Sequence, residues 1–108
     1  MSRFLLNSAV ITTPGHYRYV LINVGKAKEW LNAGSFLSTI GYKETATALS
    51  IITGRPIPCN RKLIFMEIGD EALVFRLTSR MDDPALKGKL TPEFVLNNCE
   101  IGLLRKIP

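Results

Sequence analysis

Three stretches of this sequence carry residue types that could handle a phosphorylated ligand. Ser38-Thr39-Ile40-Gly41-Tyr42-Lys43 is a polar, glycine-containing turn that opens a helix. Such a turn presents unpaired backbone N–H groups at the positive end of a helix dipole, which together seat a phosphate. The same residues also describe an ordinary capped helix. Asn60-Arg61 leads one extended stretch, while Arg76 and Arg80 on a second share a face with Thr78 through the two-residue period. These arginines could grip phosphates or form a solvated basic face. Arg80-Met81-Asp82-Asp83-Pro84 sets an arginine beside two acids in a polar loop. That pattern suits a transition-state cation with its orienting carboxylate, and equally a salt-bridged turn. His16, the single histidine, falls in a turn, where an imidazole is ordinarily just exposed.

Other chemistries find little support. There is no P-loop, no GxSxG, no HExxH and no GxGxxG. Cys59 and Cys99 stand far apart without a CxxC or a histidine pair, so neither a disulfide nor a zinc site is expected. No metal and no cofactor is anticipated. Fourteen basic residues against nine acidic ones give a net charge of +5, which favours a polyanionic partner only weakly. No apolar run is long enough to span a bilayer and the N-terminus lacks a signal-peptide layout, so the expected location is the cytoplasm of the host cell.

The elements that must position these residues can be read from periodicity. Phe4–Thr12 and Tyr17–Val24 are predicted strands, the second largely buried, separated by the Thr13-Pro14-Gly15 turn. Gly25 and Lys26 open a short helix with Ala27, Trp30 and Leu31 on one face, closed by Gly34. Ser35–Ile40 is extended, and a helix follows from Tyr42 to Thr53, with Ala46, Leu49 and Ile52 inward and Gly54 as its stop. Arg61–Ile68 and Ala72–Ser79 are predicted to pair as an antiparallel hairpin around Gly69-Asp70-Glu71. A loop spans Arg80–Leu90, Thr91-Pro92-Glu93 starts a last helix that ends near Asn97-Asn98, and Cys99–Ile107 is the closing strand. With 108 residues, 46% of them apolar, the expectation is one α/β domain over 1–108. Its mixed sheet should have about five strands with flanking helices.

Several pieces, in order, resemble one family. They are Leu5-Leu6-Asn7-Ser8-Ala9-Val10, Ser38-Thr39-Ile40-Gly41-Tyr42-Lys43-Glu44-Thr45-Ala46, Pro58-Cys59-Asn60-Arg61, Gly69–Leu77 followed by Arg80, and Glu100-Ile101-Gly102-Leu103-Leu104. Together they are similar to the small anti-CRISPR ring nucleases of archaeal viruses, which have relatives in phages and bacterial mobile elements. The resemblance implies a homodimer whose interface cradles cyclic tetra-adenylate, the messenger of type III CRISPR systems. It also implies cleavage without a metal, in which a ribose 2′-OH attacks the neighbouring phosphate. A four-nucleotide ring has a twofold axis that an isologous dimer can share.

By the same resemblance Arg61 and Arg80 supply cations, while Asn7, Ser38, Thr39, Ile40 and Gly41 help hold the ring. The family's general acid is a histidine after Ile-Gly, and here that position is Tyr42, with Lys43 beside it. A free phenol, with a pKa of about 10, yields its proton less readily than imidazolium at about 6.5. The family's loop glutamate becomes Asp83, one methylene shorter. Two outcomes stay open: a slower nuclease, or a protein that only sequesters the ring. From another class, a non-enzymatic nucleic-acid-binding module also fits the basic surface.

Overall fold

The computed structural model describes residues 2–8, 11–78 and 92–108. Five strands form one sheet in the order β2-β5-β4-β1-β3. They are β1 (Arg3–Leu6), β2 (His16–Leu21), β3 (Leu37–Ser38), β4 (Glu71–Leu77) and β5 (Cys99–Ile107). β1 runs parallel to both β3 and β4, whereas β5 lies antiparallel between β4 and β2. The sheet is therefore mixed, as the sequence implies. The helices are α1 (Val24–Asn32), α2 (Lys43–Thr53) and α3 (Pro92–Asn97).

Strand alternation sorts the sheet into two faces. Leu5, Leu73, Phe75 and Ile101 point toward the helices, meeting Ala27 and Leu31 of α1, Ala46, Leu49 and Ile52 of α2, and Val95 of α3. Phe4, Leu6, Ala72, Val74 and Leu104 point the other way. No helix covers that second face among the described residues. Ile64 and Met66 do so instead, from an extended segment laid across the sheet. Burying each of these two side chains is worth roughly 1.5–3 kcal/mol. β4 has buried neighbours on both faces, which explains its unbroken Ala72-Leu73-Val74-Phe75 run.

The local signals that hold are the capping ones. Gly54 ends α2 in the left-handed conformation, φ 68°, and returns its N–H to the Ser50 carbonyl. Asn23 caps α1, its Oδ1 accepting from the Lys26 N–H at 2.9 Å. This cap also corrects the predicted second strand, which stops at Leu21 because Asn23 has turned to helix initiation. That strand lies at the sheet edge and is mostly exposed rather than buried. The end of α1 is capped at Ala33, not by a glycine in the left-handed region.

The main correction concerns the expected hairpin. Residues 61–68 form no strand of the sheet, and the antiparallel partner of β4 is β5. The Gly69-Asp70 turn is real: Gly69 adopts φ 95°, and the Asp70 N–H donates to the Glu67 carbonyl. It redirects the chain from one layer to another instead of folding it back within a layer. The first strand is also shorter than predicted, leaving the sheet after Leu6 so that Thr12 and Thr13 bond to Met66.

Candidate functional site

β1 and β3 are parallel neighbours, and both end where α2 begins. In open α/β sheets the crevice outside the carboxyl ends of strands is the usual ligand position. A cleft of about 250 Å³ lies there, lined by Asn7, Ser8, Thr39, Gly41, Tyr42, Arg61 and Lys62. Five residues singled out from the sequence, Asn7, Thr39, Gly41, Tyr42 and Arg61, thus meet around one space.

Ser38 and Ile40 stand behind that space as its frame. The Ser38 hydroxyl donates to the Pro58 carbonyl at 2.7 Å, and the Ile40 side chain is wholly buried in the core. Thr39 is buried too, its N–H and hydroxyl both donating to the Leu5 carbonyl. Asn60 ties the two walls together: its N–H donates to the Ile40 carbonyl and its Nδ2 to the Ser38 carbonyl, each at 2.9 Å. The cleft therefore rests on fixed backbone, with little ordering left to pay on binding.

Arg61 is a cation of this frame that the fold leaves unbonded among the described residues. Its guanidinium lies 5.7 Å from the Tyr42 ring centroid, and no carboxylate or carbonyl holds it among the described residues. Gly41 makes room for it, because a Cβ there would fall 3.1 Å from Arg61 Nε and 3.3 Å from its Cβ and Cγ. Tyr42 occupies the N-cap of α2 but caps nothing with its side chain. The first-turn N–H groups of α2 thus have no side-chain cap, and the phenol ring is 56% exposed. Cation, helix N-terminus and phenol thus border one cleft.

The remaining expectations divide. Lys43 is exposed at the start of α2 and does not line the cleft. Lys62 and Ser8 do, and went unrecognised because neither stands out from its neighbours by type. Arg80 and Asp83 lie outside the described residues, as does the loop that contains them. Arg76 is spent on a 3.0 Å ion pair with Glu100, which also accepts from the Tyr19 hydroxyl. Burial and the Glu100 carboxylate raise the Tyr19 pKa above its ordinary value. His16 begins β2, opposite Ile107, and is exposed. Among the described residues no three His, Cys, Asp or Glu side chains converge, and no helix is long and apolar enough to cross a membrane.

A larger cavity, about 580 Å³, opens beside Arg3 and Phe36 near the N-terminal end of β1. Its arginine is already occupied. Arg3 donates to the Trp30 carbonyl and, at 3.3 Å, to the Ser35 carbonyl, with its guanidinium 3.9 Å from the Trp30 ring centroid. Arg55 likewise donates to the Leu31 carbonyl at 2.8 Å and to Asn32 Oδ1 at 3.0 Å. These two side chains satisfy the last carbonyls of α1, a helix with no basic residue in its own last turn.

Comparison with known proteins adds a family. The family model described as STIV B116-like matches residues 3–93. Protein 26 of Sulfolobus islandicus filamentous virus is 33% identical over 84 residues, covering 74% of this chain and 71% of that protein. The YddF protein of Bacillus subtilis is 36% identical over 83 residues, covering 75% of this chain and 77% of its own length. Among solved structures, B116 of Sulfolobus turreted icosahedral virus superposes with a TM-score of 0.79 at 19% identity, covering 97% of this chain and 99% of that one. At that identity the likeness speaks for the fold.

Proposed function

This chain belongs to the STIV B116-like family, and from that premise we propose that its cleft binds cyclic tetra-adenylate across a homodimer and cleaves it slowly without a metal. The observation that carries this reading is Arg61. It is a cation without a partner among the described residues, lying over the Gly41–Tyr42 turn at the start of α2. A phosphate placed there would accept from the first-turn N–H groups of α2 and from the guanidinium at once.

The reaction this arrangement supports is an internal transesterification. A ribose 2′-oxygen attacks the adjacent phosphorus, the bond from phosphorus to the 5′-oxygen breaks, and a 2′,3′-cyclic phosphate remains. The 2′-hydroxyl loses its proton and the departing 5′-oxygen gains one. Arg61 stabilises the negative charge of the phosphorane, with Arg80 as the second cation and Asp83 as its orienting acid. The proton for the leaving oxygen comes from Tyr42 or Lys43. In the cell such an activity would counter type III CRISPR signalling.

A second reading, sequestration of the same ring without turnover, is favoured by one observation. The single histidine lies on the edge strand β2, so no imidazole lines the cleft. Incubating the purified protein with labelled cyclic tetra-adenylate, and measuring binding and cleavage separately, decides between the two. Salt dependence separates both from a duplex-binding module, since a ring of four phosphates gives a shallow slope and duplex DNA a steep one. Failure to bind the ring, together with steep salt-dependent binding of duplex, overturns the proposal. Arg80→Ala should then lower cleavage more than binding.

A further inference from the structure

Lys62 borders the cleft, yet the reaction described above gives it no role. It belongs to an extended segment that runs from the cleft back toward the start of β1. At the cleft end the Asn60 N–H donates to the Ile40 carbonyl; at the far end Asp70 Oδ1 accepts from the Ser2 N–H at 2.7 Å. Between these anchors the side chains alternate. Ile64 and Met66 are buried against the sheet, whereas Leu63 is 77% exposed and Phe65 63%. The same two-residue period puts Lys62 on the sheet-facing row and Arg61 on the outer row. The sheet beneath that inner row includes Phe4 and Leu6, and β1 ends at Leu6. Lys62 is therefore exposed, and it borders the cleft with Asn7 and Ser8 instead of lying on the sheet.

The charges around this cleft do not balance. Its seven lining residues include two cations and no acid. Among the described residues no hydrogen bond, ion pair or aromatic ring engages the Lys62 ammonium. A phosphodiester carries a single negative charge, so one phosphate beside Arg61 leaves the second cation unmatched. The two cations also diverge. Arg61 lies over the Gly41–Tyr42 turn, and alternation sends Lys62 to the other side of the chain.

We infer that Lys62 holds a second phosphate, the non-scissile neighbour of the one seated at Arg61, so that the cleft takes two consecutive phosphodiesters. This inference rests on the binding reading given above and adds a specificity-determining residue to it. An ammonium is a compact point charge with three rotatable donors and imposes no planar geometry. That suits a phosphate that does not react, whereas the rigid fork of Arg61 faces the one that does. A ligand with a single phosphate leaves Lys62 unused, which favours oligonucleotides over mononucleotides.

Titration of cyclic tetra-adenylate into the full-length wild type, Lys62→Met and Lys62→Arg, over a range of salt concentrations, tests this assignment. Lys62→Met keeps the stem and removes the charge. It should raise the Kd roughly tenfold and flatten the salt slope by about one, the signature of one lost phosphate contact. Lys62→Arg keeps the charge and should restore most of both. Cleavage of subsaturating ring by Lys62→Met should fall by the same factor as its affinity, because a non-scissile phosphate is held equally in ground and transition states. A Lys62→Met protein with wild-type Kd and salt slope overturns the inference and leaves ring binding standing. Cleavage that falls roughly tenfold further than affinity also overturns it, since Lys62 then acts on the scissile phosphate. A wild type that binds no ring is titrated with linear tetra-adenylate instead. Binding of that ligand with the same dependence on Lys62 sinks the ring and keeps the two-phosphate site; no binding sinks both.

Discussion

At one end of β1 the guanidinium of Arg3 lies 3.9 Å from the centre of the Trp30 ring; at the other, that of Arg61 lies 5.7 Å from the centre of Tyr42. Both arginines sit beside a glycine and border a cavity, and the cavity beside Arg3 is the larger. The difference lies in what the guanidinium nitrogens are doing. Those of Arg3 are bonded to the Trp30 and Ser35 carbonyls, so their donor capacity is turned inward to close a helix end. Those of Arg61 have no acceptor among the described residues. On the proposed reading it is this free donor capacity on a fixed frame, rather than charge or cavity volume, that singles out the cleft at Arg61. The rings differ as well, since Trp30 is half-buried and Tyr42 presents its phenol to solvent.

The largest expected effect tests the ring beneath Arg61. Tyr42→His should raise single-turnover cleavage of cyclic tetra-adenylate while hardly changing its Kd, because positioned general acids are worth ~10²–10⁴ in rate. Tyr42→Phe should abolish cleavage if the phenol is the acid, and should matter little if Lys43 is. A wild type that cleaves fast, with a histidine variant no better, would falsify the assignment of Tyr42 as a weakened acid.

Next comes the cation itself. Arg61→Ala should weaken ring binding by roughly ten- to a hundredfold, the worth of a charge-assisted hydrogen bond. Arg3→Ala, made as its counterpart and titrated in parallel, should leave the Kd within twofold of wild type. Equal losses from the two substitutions would erase the distinction drawn between the two ends of β1.

The same pair inverts when stability is measured. Arg3→Ala leaves the Trp30 carbonyl at the end of α1 without its charged donor, at a cost of about 1.5–3 kcal/mol. For a domain of this size that corresponds to a Tm lower by on the order of 10 °C. Arg61 bonds to nothing in the fold among the described residues, so Arg61→Ala should move the Tm by no more than about 2 °C. Calorimetry of both variants without ligand checks it.

Which parts of this molecule were legible in its sequence follows from the range of the forces involved. Gly54, the Ala46-Leu49-Ile52 face and the whole of β5 were readable because caps and apolar periodicity act within a few residues. The grouping of Asn7, Thr39, Gly41, Tyr42 and Arg61 came from resemblance, and the fold does bring them to one cleft. Residues 61–68 were misread as a hairpin strand because alternation declares an extended chain but not its partner. Nor could local pattern show that Arg3 and Arg55 would cap a helix from 24 to 27 residues away in the chain. Asn60 escaped as a clamp for the same reason, its partner Ser38 lying 22 residues earlier.

The smallest expected effects come from the two glycines, which stand in the same relation to their arginines. A Cβ on Gly34 would fall 3.1 Å from Arg3 Nη1, and a Cβ on Gly41 would fall 3.1 Å from Arg61 Nε. Neither glycine has a positive φ, so alanine is allowed by the backbone at both positions. In each variant the arginine must yield by a few tenths of an ångström. At Gly34 that displacement strains the bonds to the Ser35 and Trp30 carbonyls, so Gly34→Ala should lower the Tm by a few degrees and leave ring binding unchanged. At Gly41 the arginine has no bonds to strain, and alanine also restricts the unfolded chain. Gly41→Ala should therefore keep or slightly raise the Tm, yet weaken ring binding about three- to tenfold by moving the guanidinium off the α2 N-terminus. Melting curves and ligand titrations on both variants give four numbers. If Gly41→Ala costs stability without costing affinity, Arg61 is a structural residue like Arg3, and the cleft loses that cation.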